Sequence, residues 1–359
     1  MKPGKEGYRV AVVGADSLLG KELMAVLEER KFPVSRLVTF DTGGDEPELP
    51  IIDLRAGSQN AVEDGAVNAE DLDFAFLAAR SREMPAFLKT WRELGSAARC
   101  QIIDMVGDGG ADDTVRLEDP ATAALHHVHV PFLDRRFPLP IVESSPAPLR
   151  VSAHPAVIVI SSVLLRLSAR FPLKTAVAQV FASASDSGSR GIEELQKQTV
   201  GLLSFQKAPR QVFGAQLAFN LLSRLGRSGT GEVAGLEARL RRQLQAYLGD
   251  RVPAPALHLF QAPVFYSLGV SLYVETAEPV APEAATAALA GERVHVRTAK
   301  QDAPTQVEVT GSSDILVDSI AVEPARPPGL WLWAVADNLR LAAANAVELA
   351  ASLRERARA

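Results

Sequence analysis

The sequence lacks the features that mark secreted, membrane-spanning or nucleic-acid-binding proteins. Its single cysteine, Cys100, excludes a disulfide within the chain, which favours a reducing, cytoplasmic location. No apolar run approaches the roughly 20 residues needed to span a bilayer, and residues 1–8 do not have the pattern of a signal peptide. The formal net charge of −5 argues against nucleic acid or an anionic membrane as the main partner.

The composition that remains is that of a globular protein. Hydrophobic residues make up 47% of the chain and charged residues 23%, a balance that excludes an intrinsically disordered protein. A length of 359 residues predicts two domains, each with its own core. The one short basic run, Arg239 with Arg241 and Arg242, is more typical of the solvent face of a helix.

The N-terminal part has the pattern of a nucleotide-binding domain. Residues 8–13 form a short apolar run that predicts a buried parallel strand, and a glycine turn and an amphipathic helix follow it. This order predicts a turn that binds the phosphates of a dinucleotide. Its candidate cofactor-binding residues are Gly14, Asp16, Ser17, Leu18 and Gly20.

Ser17 stands where such a turn is expected to have its middle glycine. Its side chain narrows the approach to a pyrophosphate, although its hydroxyl oxygen could also bond a phosphate. The alternative is a βα turn that binds nothing, because glycine-rich turns also serve packing. The sequence leaves both alternatives open.

Asp41 follows the second predicted strand, residues 36–40, about 20 positions beyond the turn. A carboxylate there accepts hydrogen bonds from an adenosine ribose and repels a 2′-phosphate, which favours NAD over NADP. The alternative is a solvated acid in the turn of residues 41–44. Two further buried strands are predicted over residues 74–78 and 101–104.

Two other candidates have weak patterns. Cys100 opens the fourth strand, where a cysteine is usually a packing residue, and no neighbour would acidify its thiol. His126, His127 and His129 lie close together, but the sequence supplies no further zinc ligands beside them. We therefore predict neither a reactive Cys100 nor a metal site.

The rest of the chain predicts an α+β domain. Helices are expected over residues 156–167, 191–205, 232–248, 281–290 and 332–354. Strands are expected over residues 174–183, 257–260, 270–274 and 305–309. The first domain would be residues 1–148, with a helix at 331–359 packing back on it, and the second would be residues 149–330. Such an open sheet often pairs with a second copy, so a homodimer is expected.

Six stretches, by their order and spacing, resemble aspartate-semialdehyde dehydrogenases, and most of all the Usg-type paralogues. They are residues 14–20, 185–195, 213–220, 263–266, 304–306 and 333–338. The resemblance implies a Rossmann-type doubly wound parallel sheet followed by an α+β dimerisation domain, and a place in amino-acid biosynthesis. It also implies that Gly188 and Asn338 contribute to a cofactor site.

The resemblance also implies a chemistry that this chain lacks. The family uses a cysteine thiolate, an arginine that binds the substrate carboxylate, and a histidine that transfers protons. The corresponding positions here are Val157, Gln261 and Leu268, and the position of a phosphate-binding lysine is Val233. Valine cannot form a thioester, glutamine brings no charge and leucine transfers no proton. The resemblance therefore implies a catalytically inactive homologue.

Three rival hypotheses remain at this point. One is that the chain is a heteromeric partner of the active enzyme, paired through the inherited dimer surface. Ser161 or Ser162 could replace the nucleophile with His154 as its base, but a serine without a base reacts poorly. The chain could also be an NAD-dependent oxidoreductase that acts on an unknown aldehyde or oxo substrate, as the glycine turn and Asp41 suggest. A small molecule in the cleft between the domains is expected, while the cofactor is either NAD or none.

Overall fold

The computed structural model describes residues 7–41, 62–63, 72–79, 100–106, 128–138, 149–226, 233–298 and 300–356. The chain forms two compact units. Residues 1–153 and 342–359 form the first unit, and residues 154–341 form the second. Residue 148, at which the first predicted domain ends, lies outside the described residues, as do His126 and His127.

A parallel sheet forms the centre of the first unit. Its described strands are β1 (Tyr8–Val13), β2 (Val34–Phe40), β3 (Val62–Glu63), β4 (Phe74–Leu77), β5 (Gln101–Asp104), β6 (Val128–His129) and β7 (Leu149–Ser152). They lie in the order β3-β2-β1-β4-β5-β7-β6. The order reverses its direction beside β1, which pairs with both β2 and β4. The predicted doubly wound parallel sheet is therefore confirmed.

Helices pack on this sheet through apolar side chains. The described helices of the unit are α1 (Leu18–Glu29), α2 (Pro131–Arg136) and most of α7 (Asn338–Arg356). Leu23 and Val26 of α1 and Val347 of α7 share one buried cluster with Val10 and Val12 of β1. The spacing of Leu23 and Val26 places both on one face of α1, and that face is the buried one.

A mixed sheet forms the second unit. Its strands are β8 (Leu173–Ala182), β9 (Ala256–Gln261), β10 (Leu268–Thr276), β11 (Val294–Val296), β12 (Ile315–Val322) and β13 (Gly329–Ala336). They lie in the order β11-β12-β13-β10-β8-β9. The helices are α3 (Pro155–Ser168), α4 (Gly188–Leu203), α5 (Val233–Leu248) and α6 (Pro282–Leu289). This unit is the predicted α+β domain.

The two faces of the second sheet differ in their surroundings. Along β8, Ala176, Ala178 and Val180 are buried, while the residues between them are only partly buried. Helix α3, whose side chains are almost all buried, packs against β8, β10 and β13. The other face is lined by aromatic rings, with Phe181 stacked on Phe260. One face therefore belongs to the core and the other remains partly accessible.

Two predicted elements are wrong. The apolar run at residues 331–336 belongs to strand β13, and the C-terminal helix begins only at Asn338. Leu332 and Ala334 are buried while Trp331 and Trp333 face the other way, which is the alternation of a strand. The predicted strand at residues 305–309 is a turn, because the Thr305 hydroxyl accepts a hydrogen bond from the backbone N–H of Glu308.

Strand β12 has no counterpart among the predicted elements, although it pairs along most of its length with β13.

Among the helices of the described chain, none combines the length and the apolar character that a membrane crossing would need.

Candidate functional site

The glycine turn of the first unit lies between β1 and α1 and is closed by its own hydrogen bonds. Ser17 is the N-cap of α1, and its hydroxyl oxygen accepts a hydrogen bond from the N–H of Gly20 at 3.0 Å. The same hydroxyl donates to the carbonyl oxygen of Gly14 at 2.6 Å. Ser17 is buried, and both hydrogen bonds stay within the turn.

The two outer glycines of the turn are required by packing. Gly14 has a φ of +78°, and a Cβ there would lie 2.5 Å from the Cβ of Ala79. A Cβ on Gly20 would lie 2.1 Å from the carbonyl oxygen of Gly14. The fold therefore needs both glycines whether or not a ligand binds.

Two carboxylates lie at this end of the first sheet. Asp16 is partly buried within the turn, and Asp41 is exposed directly after β2. The backbone N–H groups of Gly14 and Ala15 both donate to the carbonyl oxygen of Phe40, so the residue before Asp41 is bonded to the turn. The predicted cofactor-binding residues of this unit, including the partly buried Leu18, thus lie next to one another at this end of the sheet.

In the second unit, Gln261 and Leu268 lie at one edge of the sheet. Gln261 ends β9 and is paired in register with Ala182, the last residue of β8. Leu268 begins β10, which is the neighbour of β8 on its other side, and is paired with Ala336. Gln261 donates from Nε2 to the carbonyl oxygen of Ala182 at 3.1 Å. Its Oε1 is buried and has no hydrogen-bond partner among the described residues.

A network of polar side chains connects the loops at the same edge. Asn338 donates from Nδ2 to Asp186 Oδ1 at 2.8 Å and to Ser185 Oγ at 2.9 Å. Its Oδ1 accepts from the backbone N–H of Ser267 at 3.0 Å. Asn338 therefore ties the turn after β8 to the residue before Leu268, and its side chain is fully engaged by the protein.

Gly188 ends the 3-10 turn Ala184–Ser187 and begins α4. Its φ of +68° lies in the region that favours glycine. Its N–H donates to the carbonyl oxygen of Ser185. Gly188 thus has a structural reason to be glycine, independent of any ligand.

Val157 lies in the first turn of α3 and is completely buried. The helix begins after His154, whose Nδ1 accepts a hydrogen bond from the N–H of Ala156 at 3.2 Å. The backbone N–H of His154 donates to Gln243 Oε1 of α5 at 2.9 Å. The N-terminus of α3 is thus held by its own cap and by α5, with an apolar side chain at position 157.

Arg239 is the residue of this region that the sequence did not identify. The basic run was expected to face solvent, and Arg241 and Arg242 are exposed, but Arg239 is only partly exposed. Its positive charge lowers the pKa of both His154 and Asp186. The start of α3 and the turn after β8 therefore lie within electrostatic range of one guanidinium. The helical spacing of α5 turns Arg239 away from Arg241, but only the packing of α5 shows which groups lie near Arg239.

Burial changes the protonation of the two titratable groups beside Arg239. It lowers the pKa of His154 to about 3, with the charge of Arg239 acting in the same direction. His154 is therefore neutral at pH 7, as its role as a hydrogen-bond acceptor requires. Burial raises the pKa of Asp186 to about 6, against the hydrogen bonds from Asn338 and Ser183 and the charge of Arg239.

Cys100 lies at the start of β5 in the first unit and is fully buried. Burial, with the negative charge of Asp73, raises the pKa of its thiol to about 12. A thiol with a raised pKa is mostly protonated at neutral pH, and the protonated form is a weak nucleophile.

The serine–histidine alternative finds no matching geometry. Ser162 donates its hydroxyl to the carbonyl oxygen of Ile158 at 2.6 Å, and Ser161 is buried within α3. The Nδ1 atom of His154 already accepts a hydrogen bond from the N–H of Ala156.

In the first unit, His129 contacts Asp134 at 3.3 Å, and the described residues contain no group of three metal-ligating side chains.

Comparison with known proteins identifies the family. The model of the semialdehyde dehydrogenase dimerisation domain matches residues 164–341. A USG-1 protein homologue of Pseudomonas aeruginosa is 30% identical over 95% of this chain and 96% of its own length. A structure from Pseudomonas aeruginosa, described as a probable aspartate-semialdehyde dehydrogenase, matches with a TM-score of 0.76 at 27% identity, covering 97% of this chain and 98% of that one.

The chain belongs to the aspartate-semialdehyde dehydrogenase family. The predicted resemblance, including that to the Usg-type members, is confirmed. The aspartate semialdehyde dehydrogenase of Candida albicans, solved with NADP, has a TM-score of 0.63 at 13% identity, with 96% of this chain and 97% of that one covered. That likeness shows a shared fold, and it extends over both units of this chain.

Proposed function

We propose that this protein is a member of the aspartate-semialdehyde dehydrogenase family without the thiol-dependent dehydrogenase activity of the family. The observation that carries the proposal is the cysteine inventory. The whole sequence contains one cysteine, and that thiol is buried in the first unit with its pKa raised to about 12. An acyl-enzyme thioester requires an accessible thiolate, which this chain does not provide.

The residues at the proposed catalytic positions support the same conclusion. Val157 and Leu268 are apolar and buried, and the side-chain amide of Gln261 donates a hydrogen bond to the carbonyl oxygen of Ala182. At a buried position that no longer performs polar chemistry, an apolar side chain is buried at a lower free-energy cost than a polar one. The positions thus have the properties of a packed core, in which no group transfers a proton or stabilises a substrate carboxylate.

Turnover by the purified protein tests this proposal. With aspartate semialdehyde, phosphate and either NAD or NADP, we expect no reduced nicotinamide above the background reaction. Loss of a nucleophile and its base costs a factor on the order of a million in comparable enzymes. Turnover at about one per second, ordinary for an enzyme, would overturn the proposal.

The matched control restores the chemistry to the same scaffold. The triple variant Val157→Cys, Gln261→Arg, Leu268→His places a thiol, a guanidinium and an imidazole at the three positions. A new thiol at position 157 would lie in the first turn of α3, where the helix dipole lowers the pKa of a cysteine and the burial of the position raises it. Thiol-specific labelling of the folded variant, against Cys100 of the unchanged protein, would show whether position 157 is accessible.

We further propose that the protein works as a homodimer through its second unit. The match of residues 164–341 to a dimerisation domain supports this proposal. The aromatic face of the second sheet supports it as well, because Trp331 is 37% exposed and packs beside Tyr273 at 5.2 Å between ring centroids. Large aromatic rings are enriched in the buried centres of protein interfaces. A retained dimer with an inert site is consistent with a binding or scaffolding role.

The alternative, an NAD-dependent oxidoreductase with another substrate, is favoured by Asp41 after β2. It requires that a dinucleotide bind to the glycine turn. Binding of a dinucleotide at that turn therefore distinguishes the two proposals.

A further inference from the structure

Four backbone donors of the glycine turn are hydrogen-bonded within the protein. The N–H groups of Gly14 and Ala15 donate to the carbonyl oxygen of Phe40 at 2.6 and 3.1 Å. The N–H of Ser17 donates to the carbonyl oxygen of Gly14 at 3.1 Å, and that of Gly20 to the hydroxyl of Ser17 at 3.0 Å. A turn that cradles a pyrophosphate instead directs such donors at the ligand. These four N–H groups are therefore already used inside the protein.

The Ser17 hydroxyl acts as an internal substitute for a phosphate oxygen. It accepts a hydrogen bond at the N-terminus of α1, where a bound anion would accept one, and its proton goes to the carbonyl oxygen of Gly14. A phosphate that accepted from the N–H of Gly20 would have to displace the buried Ser17 hydroxyl. A glycine at position 17 would present no such obstacle.

Charge opposes the same ligand. Asp16 lies inside the turn, where its side chain is partly buried. A carboxylate thus lies one residue before the N-cap Ser17 of α1. A carboxylate and a phosphate are both negatively charged, so Asp16 disfavours a phosphate at the turn.

We propose that Ser17 and Asp16 close the glycine turn to dinucleotide phosphates, so that the chain binds neither NAD nor NADP there. The residues present do not fit the cofactor that the fold implies. The retained glycines do not contradict this conclusion, since Gly14 and Gly20 are required by contacts of 2.5 and 2.1 Å within the fold. The proposal is independent of the side chains lost from the second unit, because it concerns a different part of the chain.

Direct binding measurements test it. Calorimetry is performed with NAD and NADP on the unchanged protein and on Ser17→Gly, Asp16→Asn and the double variant, with circular dichroism to verify folding. We expect no binding at millimolar concentration by the unchanged protein. We expect the double variant to bind at least one dinucleotide at least tenfold more tightly, because the helix N-terminus is freed and one negative charge is removed.

Two results would overturn the inference. One is binding of either dinucleotide by the unchanged protein with a Kd below about 1 mM, and the other is a folded double variant that binds no better than the unchanged protein. If Ser17→Gly prevents folding, Asp16→Asn remains informative. It keeps both hydrogen bonds of Ser17, so tight binding by that variant would disprove the role of Ser17. A protein that bound NAD yet turned over no semialdehyde would refute this inference and leave the proposed loss of thiol chemistry intact.

Discussion

Asp186 shows how a single side chain gives the candidate site a pH dependence. Its Oδ2 accepts from the backbone N–H of Ser183 and its Oδ1 from the amide of Asn338. These hydrogen bonds and the charge of Arg239 favour the carboxylate, but burial outweighs them and raises the pKa to about 6. The buried turn therefore contains a carboxyl group that holds its proton more strongly than an exposed aspartate does.

The consequence for stability has a defined sign. A group whose pKa is raised on folding stabilises the protein fully below its unfolded pKa of 3.8, and this contribution is lost as the pH rises through about 6. Relative to Asp186→Asn, the free energy of unfolding of the unchanged protein should fall by on the order of 2 kcal/mol between pH 3.5 and pH 7. Urea denaturation of both proteins at the two pH values measures this difference.

His154 provides the internal control for that experiment. Its pKa is lowered to about 3, so its contribution to stability is present above pH 6.5 and is lost as the pH falls toward 3. Because both proteins contain His154, its contribution largely cancels in the difference. A difference in unfolding free energy that does not change with pH would show that Asp186 titrates normally in the folded protein.

Helix α4 holds the segment that follows it through two buried polar side chains. Glu194 accepts hydrogen bonds from the backbone N–H groups of Gln211, Val212 and Phe213, at 2.6, 2.7 and 3.1 Å. Gln198, one turn further along, accepts from the N–H groups of Leu217 and Ala218. The run at residues 213–220, which contributes to the family resemblance, is thus fixed by side chains rather than by a strand or a helix.

Glu194→Ala should destabilise this element strongly. It leaves three backbone donors without their acceptor, and each unsatisfied buried group costs about 1–3 kcal/mol. We expect the free energy of unfolding to fall by about 3 kcal/mol and proteolysis to concentrate in residues 209–218. Denaturation and limited proteolysis with mass spectrometry measure the two effects.

Glu193→Ala is the matched control on the same helix. Glu193 is partly exposed and pairs with Lys197 one turn away, an interaction worth only a few tenths of a kcal/mol. Its replacement should leave both stability and the proteolysis pattern nearly unchanged. Equal effects of the two substitutions would contradict the assigned role of Glu194.

At the scale of the whole molecule, the aromatic face of the second sheet is the basis for the proposed dimer. Phe181 lies between Phe260 and Trp333, with ring centroids 5.5 and 5.8 Å away. Gly269 makes this packing feasible, since a Cβ there would lie 2.3 Å from the indole of Trp333. The side of the sheet opposite α3 thus presents a row of aromatic rings beside polar side chains such as Gln179 and Ser271, and exposed aromatic groups of this kind mark interaction sites.

Trp331→Glu should weaken the dimer. A carboxylate in the proposed interface would lose its hydration without gaining a partner, so we expect at least a hundredfold increase in the dimer dissociation constant. Analytical ultracentrifugation over a range of protein concentrations measures this constant. Trp331→Phe, which keeps an aromatic ring, should have a much smaller effect. A Trp331→Glu protein that remained dimeric at all concentrations would place the interface elsewhere.

The sequence alone determined the architecture and the limits of the chemistry. Hydrophobic periodicity and turn residues are local signals, so they identified β1 and its glycine turn, as well as α3, α5 and most strands. The cysteine inventory is a property of composition, so the lack of any thiol besides Cys100 follows from the residues themselves. The same local signals failed at residues 331–336, where a dense apolar run suggested a helix and pairing with β10 makes a strand.

Only the tertiary structure decided which side chains act together. Whether the Ser17 hydroxyl faces a ligand or closes its own turn depends on where Gly14 and Gly20 lie in space. The position of Arg239 beside both His154 and Asp186 likewise depends on how three distant segments pack. Hydrogen bonds and charges act over a few ångströms in space, whatever the separation along the chain, and the sequence by itself does not contain that distance.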